Sequence, residues 1–224
     1  MSFLRASTAA VLLCVATFPI TAAEPQSEED KTFYALGVAL ARNLESFALT
    51  PVELELVKAG MTDGNAGKAT IDLDAYVQKL GELQGQRMAT IAQNERKAGQ
   101  AFLDKAAAEK GATKTASGIV IKETKAGTGA SPTAKDTVRV HYHGTLTNGE
   151  VFDSSRERNE PATFPLEGVI PCWTEALQTM KVGGQSRIVC PPDLAYGDRG
   201  SGSIKPGSTL VFDVELLEIK QPAP

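Results

Sequence analysis

The chain has 224 residues, with 23 Lys+Arg against 27 Asp+Glu, a formal net charge of −4 and 42% hydrophobic residues. Mild acidity gives no support to nucleic acid as a partner, which calls for a basic face. The length allows one large domain or two small ones with enough surface to bury a core.

The N-terminus reads MSFLR, then AAVLLCVATFPI, then TAAEP. One early cation, an apolar run of about a dozen residues and small residues at Thr21 and Ala23 have the form of a cleavable secretory signal over residues 1–23. The run is short of the ~20 apolar residues that a membrane span requires; an uncleaved anchor is the alternative. Cys14 follows Leu13, too large for the position before a lipoprotein cysteine. Export is therefore expected. Removing residues 1–23 takes away Arg5 and Cys14 and leaves two cysteines, Cys172 and Cys190. In an oxidising compartment two leftover cysteines often pair. Pairing would close a loop of about 19 residues and stabilise the fold by roughly 3 kcal/mol; two separate buried thiols are the alternative.

From Glu24 to about Lys110 the pattern is helical. Phe33, Leu36, Leu40, Leu44 and Phe47 recur at helical spacing. Thr50, Pro51 and Glu53 supply an N-cap, a first-position proline and a capping-box partner for a second helix, expected to stop at DGNAG. A third segment runs from near Asp72 to Gly111 with Leu73, Val77, Leu80, Ile91, Ala98 and Phe102 in register. About 40 helical residues would reach roughly 60 Å. Its middle, QGQRMATIAQNERK, is polar, so an arm apolar at each end and solvated between is expected. Residues 24–70 form a helical unit and 71–111 a long connecting helix. Helices this thin on core gain burial from a second copy, so a homodimer through 24–70 is expected, with a monomeric hairpin as the alternative.

After KGATKTASG the pattern becomes strands: GIVIKETKAG, DTVRVHYHG, GQSRIVCPP and STLVFDVELLEI. Val138, Val140 and Tyr142 share one face of their strand, with Arg139, His141 and His143 on the other. Leu210, Phe212, Val214 and Leu216 share a face of the last strand. Only CWTEALQTM looks helical. Residues 115–220 are thus an α+β module, an antiparallel sheet packed on one short helix.

The stretch GEVFDSSRERNEPATFPLEGVIPCW offers a carboxylate, two serines and two arginines beside an apolar wall. Hydrolysis by Ser154 or Ser155 would need a histidine in reach, and both histidines fall on the expected solvent face. His141 and His143 as metal ligands lack a third partner at suitable spacing, so no metal is expected. GDRGSGSIKPG has the glycines of a phosphate loop without its strand-to-helix context or Lys-Ser/Thr ending. What remains is an aromatic and apolar set near strand ends and loops, which a plain core could also explain. Two tyrosines within it have a polar end to place.

VHYHGTLTNGEVFDSSRERNEPATFPL, VIPCWTEALQTMKVGG, PPDLAYG and GSTLVFDVELLEI resemble, in order and spacing, the FKBP-type peptidyl-prolyl cis-trans isomerase domain over about residues 115–220. FYALGVALARNL and the long arm are similar to the dimerisation domain of the macrophage infectivity potentiator group of secreted bacterial isomerases. The resemblance implies a curved antiparallel sheet wrapped on one short helix, behind an all-helical dimerisation domain. It also implies isomerisation of Xaa-Pro bonds in unfolded or partly folded clients, with no cofactor, and binding of macrolides such as rapamycin, with the periplasm beyond the inner membrane as the expected compartment and outer-membrane association left open. It places Trp173 as the floor of a proline pocket and Tyr142, Phe152, Phe164, Val169, Ile204 and Phe212 as its walls. The Ile170 N–H and the Tyr196 hydroxyl would bond substrate carbonyls, and Asp153 would orient polar groups at the rim with Tyr142 and Arg158. Three departures are that Ala162 stands where small members carry a phenylalanine, the loop 198–205 is short, rich in Gly and Ser and without the usual aromatic or histidine, and Cys172 stands where glycine is usual. A holding chaperone with an incidental prolyl pocket, and a surface virulence factor, are the competing readings.

Overall fold

The structure, a computed structural model, describes residues 24–220. The expected signal segment 1–23 lies outside the described residues. These divide into two compact units, one through Glu45 and one from Ser46.

The first unit is helix α1, Glu28–Asn43. Ser27 caps it, and Asp30 at the third position returns the bond to the Ser27 N–H, so two orphan donors are satisfied. No α1 residue is buried, and Phe33, Tyr34 and Leu36 are all exposed.

In the second unit, α2 spans Pro51–Asn65 with the expected Thr50–Glu53 capping box and proline in the first turn. It runs through Asp63-Gly64-Asn65, which the sequence marks as a stop. The left-handed residue that ends the turn is Gly67, at φ 65°. Helix α3, Val77–Ala107, has 31 residues and follows a 3-10 turn at Asp74–Tyr76, so it is shorter than the expected arm. Arg87 pairs with Glu53 at 2.5 Å and Gln84 bonds Ser46 at 2.8 Å, tying α3 to the start of α2.

The arm's middle is not solvated all round, contrary to expectation. Ala92 is buried within it, and Gly99 and Leu103 are buried just beyond it. Gly99 meets Thr209, where an added methyl would collide with the threonine side chain, and Ala92 lies against the backbone of Gly207. The polar run hid this seat because small residues, rather than large apolar ones, make the close approach.

The sheet comprises β1 (Ala112–Lys114), β2 (Val120–Lys125), β3 (Thr137–Leu146), β4 (Val151–Ser154), β5 (Ala162–Pro165), β6 (Gln185–Cys190) and β7 (Leu210–Lys220). Its order is β1-β2-β6-β7-β3-β4, all antiparallel, and β5 also pairs with β3. One edge of β3 pairs along its length with β7; the other pairs first with β5 and then with β4. That double use of one edge brings Tyr142, Asp153 and Phe164 to one place. The short strands β1, β4 and β5, of three or four residues, are too brief to show alternation in sequence.

Helix α4, Pro171–Gln178, packs one sheet face with Cys172, Trp173, Ala176 and Leu177 buried. Val138, Val140, Ile188, Leu210 and Leu216 are wholly buried in the same core, each such side chain contributing about 1.5–3 kcal/mol on removal from water. Alternation sends Val120, Val189 and Val211 to the opposite face, where Leu103, Phe102 and Ala106 of α3 cover them. The sheet is therefore covered on both faces, by α4 and by the end of α3.

Candidate active site

A groove of about 450 Å³ opens between β3, β4, β5, the start of α4 and the loop carrying Tyr196. Trp173 is its floor. It is held there because α4 begins at Pro171, whose fixed φ pre-sets the first turn, and because the Ile170 carbonyl accepts from the Trp173 and Thr174 N–H groups. The indole meets Tyr142, Phe164 and Phe212 edge-on, with centroids 5.3, 5.7 and 5.2 Å away. These are the preferred T-shaped geometries for quadrupolar rings. Phe152 packs edge-on against Phe212 at 5.5 Å. Gly144 on β3 makes room for that pair, since a Cβ there would strike both rings. The Trp173 Nε1–H is buried and has no hydrogen-bond partner among the described residues.

At the rim, the Tyr142 hydroxyl donates to Asp153 Oδ2, Arg158 Nη1 donates to Asp153 Oδ1, and Arg158 Nη2 donates to the Tyr142 oxygen at 3.0 Å. Burial pushes the Asp153 carboxyl up, but the hydrogen bonds from Tyr142 and Arg158 outweigh it and hold the group below its usual range. Burial, with the acceptor Asp153, pushes the Tyr142 phenol up. Arg158, bonded to both, is held even more firmly protonated than usual. The result is a fixed carboxylate and a fixed neutral phenol at the edge of an apolar floor.

The groove is lined by Tyr142, Phe152, Asp153, Phe164, Val169, Ile170, Trp173, Tyr196 and Phe212, all expected from the sequence. Gly168 also lines it and was not anticipated. Ile204, expected as a wall, does not line the groove; it is buried in the same hydrophobic cluster as Tyr142, Trp173 and Phe212, behind the surface they present. Ile204 forms an isolated bridge with Ser201, which turns the 201–204 segment back on itself. Tyr196 is 40% exposed, at the outer edge.

Cys172 and Cys190 form a disulfide with Cα atoms 5.7 Å apart, joining the floor helix to the end of β6. The histidines differ from expectation. They are half-buried, with His141 Nδ1 3.1 Å from Ser155 Oγ and His143 Nδ1 3.0 Å from Ser154 Oγ. Both serines are buried and already accept backbone N–H groups, from Tyr142 to Ser155 and from Glu157 to Ser154. Such hydroxyls fasten the turn after β4 and are not presented as nucleophiles. No group of three His, Cys, Asp or Glu among the described residues is placed to hold a metal ion, and no described helix is long and apolar enough to cross a membrane.

Residues 129–217 match the family model described as FKBP-type peptidyl-prolyl cis-trans isomerase, and residues 29–122 match the domain amino-terminal to it. The chain is 41% identical to the FKBP-type peptidyl-prolyl cis-trans isomerase FkpA of Aeromonas hydrophila, over 90% of this chain and 80% of that one. It is 35% identical to the outer membrane protein MIP of Legionella longbeachae, over 100% and 99%. The crystal structure of FkpA from Escherichia coli superposes with a TM-score of 0.69 at 38% identity, covering 89% of this chain and 99% of that one. The chain belongs to the FKBP-type peptidyl-prolyl cis-trans isomerases, in the branch that carries the helical amino-terminal domain.

Proposed function

We propose that the Trp173 groove is where the prolyl bond rotates, and that it does so without covalent chemistry. The observation that carries this reading is the juxtaposition of an aromatic floor with a neutral phenol and a clamped carboxylate. Rotation about an Xaa-Pro bond is opposed by loss of amide resonance, roughly 18–20 kcal/mol. Resonance places charge on the carbonyl oxygen, which water stabilises. Seating the proline ring on Trp173 strips that water and lowers the preference for the planar amide. Donors aimed at the twisted form then act in a dry site. In this reading the Ile170 N–H and the Tyr196 hydroxyl hold substrate carbonyls on either side of the proline. Asp153, an acceptor with no proton to give, orients Tyr142 and Arg158 at the rim beside the twisting bond. A millionfold acceleration requires about 8 kcal/mol, within reach of desolvation and a few oriented hydrogen bonds.

The proposal extends to the whole chain. Residues 24–70 pair with a second copy, 71–111 connect, and 115–220 isomerise proline-containing polypeptides after export through the 1–23 signal, with the periplasm as the working compartment. The apolar residues exposed on α2, among them Val52 at 73% and Leu56 at 69%, support a partner for that helix. An aromatic groove of this size also suits a macrolide such as rapamycin. The test is acceleration of cis-to-trans isomerisation of a short Xaa-Pro-Phe peptide, together with Tyr196→Phe and Asp153→Ala. Fast turnover that falls in both variants supports the groove; unchanged turnover in both removes it from the chemistry.

A further inference from the structure

Tyr196 stands on a segment with no strand or α-helix to hold it. Pro192–Leu194 and Gly197–Arg199 are single 3-10 turns, and Ala195 between them has an irregular backbone at φ −124°, ψ −115°. The segment is fixed by outside ties. The Gly207 N–H donates to the Gly197 carbonyl at 2.9 Å, which binds one side of the loop to the stretch leading into β7. The other tie comes from α3. Arg96 Nη2 bonds Asp193 Oδ1 at 2.6 Å, and its Nε bonds Asp198 Oδ1 at 3.0 Å. One planar guanidinium thus spans the two ends of the six-residue stretch, Asp193 to Asp198, that contains Tyr196.

The base of this clasp is closely packed. Gly99 and Ala92, within one turn of Arg96 on either side, make the close approaches to Thr209 and Gly207. Leu103 continues the contact into the valine cluster beneath the sheet. Arg96 itself is one-third exposed, while Asp193 and Asp198 are 74% and 66% exposed. Isolated exposed pairs of this kind contribute little to global stability. The arrangement therefore makes more sense as local positioning, for which the fork geometry of arginine is suited and a lysine is not.

We infer that Arg96 is a positioning residue for isomerisation: from the connecting helix, it sets where the Tyr196 hydroxyl sits over the groove. The inference rests on Tyr196 being a hydrogen-bonding partner of the substrate. It makes the arm part of the active-site scaffold, so a change in the seat of α3 is passed to the groove through Asp193 and Asp198.

The test is a double-mutant cycle on the purified full-length protein, measuring kcat and KM with an Xaa-Pro-Phe peptide for wild type, Arg96→Ala, Tyr196→Phe and the double variant. Arg96→Lys is the conservative control, and thermal unfolding is followed in parallel. Misplacing one group in a site can cost up to about 100-fold. A loosened loop that still visits its proper position should cost less, and about three- to tenfold in kcat/KM is expected for Arg96→Ala, with partial recovery in Arg96→Lys. In the Tyr196→Phe background the same change is expected to have almost no further effect. Equal activity of Arg96→Ala and wild type, with Tyr196→Phe impaired, overturns the inference. So does an equal fold-loss in both backgrounds, which would mean the residue acts on general stability. Full activity of Tyr196→Phe removes the reading of Tyr196 and the inference with it. Asp193→Asn with Asp198→Asn opens the clasp from the other side and is expected to reproduce the Arg96→Ala values.

Discussion

Tyr142 and Asp153 sit on neighbouring strands, β3 and β4, and share a hydrogen bond that closes the rim of the groove above Trp173. The bond exists because Gly144 and Asp153 are in register while the next pairing shifts at a bulge, turning β4 at this point. Asp153→Ala would leave the phenol buried without its acceptor and free Arg158. A hydrogen bond to a charged partner contributes about 1.5–3 kcal/mol, so kcat/KM is expected to fall by roughly ten- to a hundredfold on the peptide assay. Tyr196→Phe removes one neutral bond of about 0.5–1.5 kcal/mol and is expected to cost about two- to tenfold.

The same pair fixes the pH profile. Asp153 in the folded protein ionises below its ordinary value. Its contribution to stability is therefore present above the unfolded pKa of about 3.9 and lost as pH falls through the lower folded value. Tyr142 is shifted upward, so its contribution is present below about pH 10 and lost as pH rises through the folded value. Turnover and stability attributable to the pair are expected to be flat from about pH 5 to about pH 9. A titration in kcat/KM near neutrality that disappears in Asp153→Asn would contradict this assignment.

The disulfide lies one residue from the floor. Cys172 precedes Trp173, and the bond reaches β6 next to the wholly buried Leu210. Its removal by Cys172→Ala with Cys190→Ala is expected to lower stability by about 3 kcal/mol in chemical denaturation. Thiol titration of the denatured oxidised protein should find neither cysteine free. A pair of titratable thiols would show that the bond does not form in the cell.

Much of this was legible in sequence. The alternation of β3 and β7 placed Tyr142 and Phe212 on the core side, and capping chemistry located the start of α2. Four motifs, read together, gathered all but one of the expected groove residues. What stayed hidden depends on contacts far apart in the chain. Gly99 and Ala92 read as ordinary helix residues until Thr209 and Gly207 are brought against them. His141 and His143 read as solvent-facing because alternation assigns a face and says nothing of what folds over it; the last residue of β4 and the first of the turn after it supply the serines. Ile204 falls between two motifs, in a loop whose bridge to Ser201 the sequence does not announce, and it backs the groove's aromatic residues without lining the groove.

The seat of the arm gives a paired prediction. Gly81→Ala meets nothing within 4 Å, so it should gain the helix preference of alanine over glycine, about 1 kcal/mol. Gly99→Ala gains the same term but forces a methyl into the Thr209 side chain. Overpacking of this kind costs about 1–3 kcal/mol, and the net is expected to be a loss. Urea unfolding of the two variants should therefore move in opposite directions. Thr209→Val bears on the same contact. The Thr209 hydroxyl is buried with no partner among the described residues, and replacing it by a methyl of similar shape should be neutral or stabilise by up to about 1 kcal/mol.

The last prediction concerns the helical region. Neither α1 nor α2 buries a single residue of its own, yet both carry large apolar side chains, from Phe33 and Leu36 on the first to Val52 and Leu56 on the second. Helices of 16 and 15 residues are marginal in water by propensity alone. Something must cover those side chains for the helices to persist, and a second copy supplies a matching surface by symmetry. Sedimentation of the intact protein is expected to give a dimer, and a chain beginning at residue 71 a monomer. The shortened chain keeps α3, Arg96 and every residue that lines the groove, so its kcat/KM on a short peptide should stay within about twofold of the intact protein. A dimer in the shortened chain would move the interface onto α3 or the sheet. A monomeric intact protein would leave the exposed faces of α1 and α2 to clients instead of to a second copy.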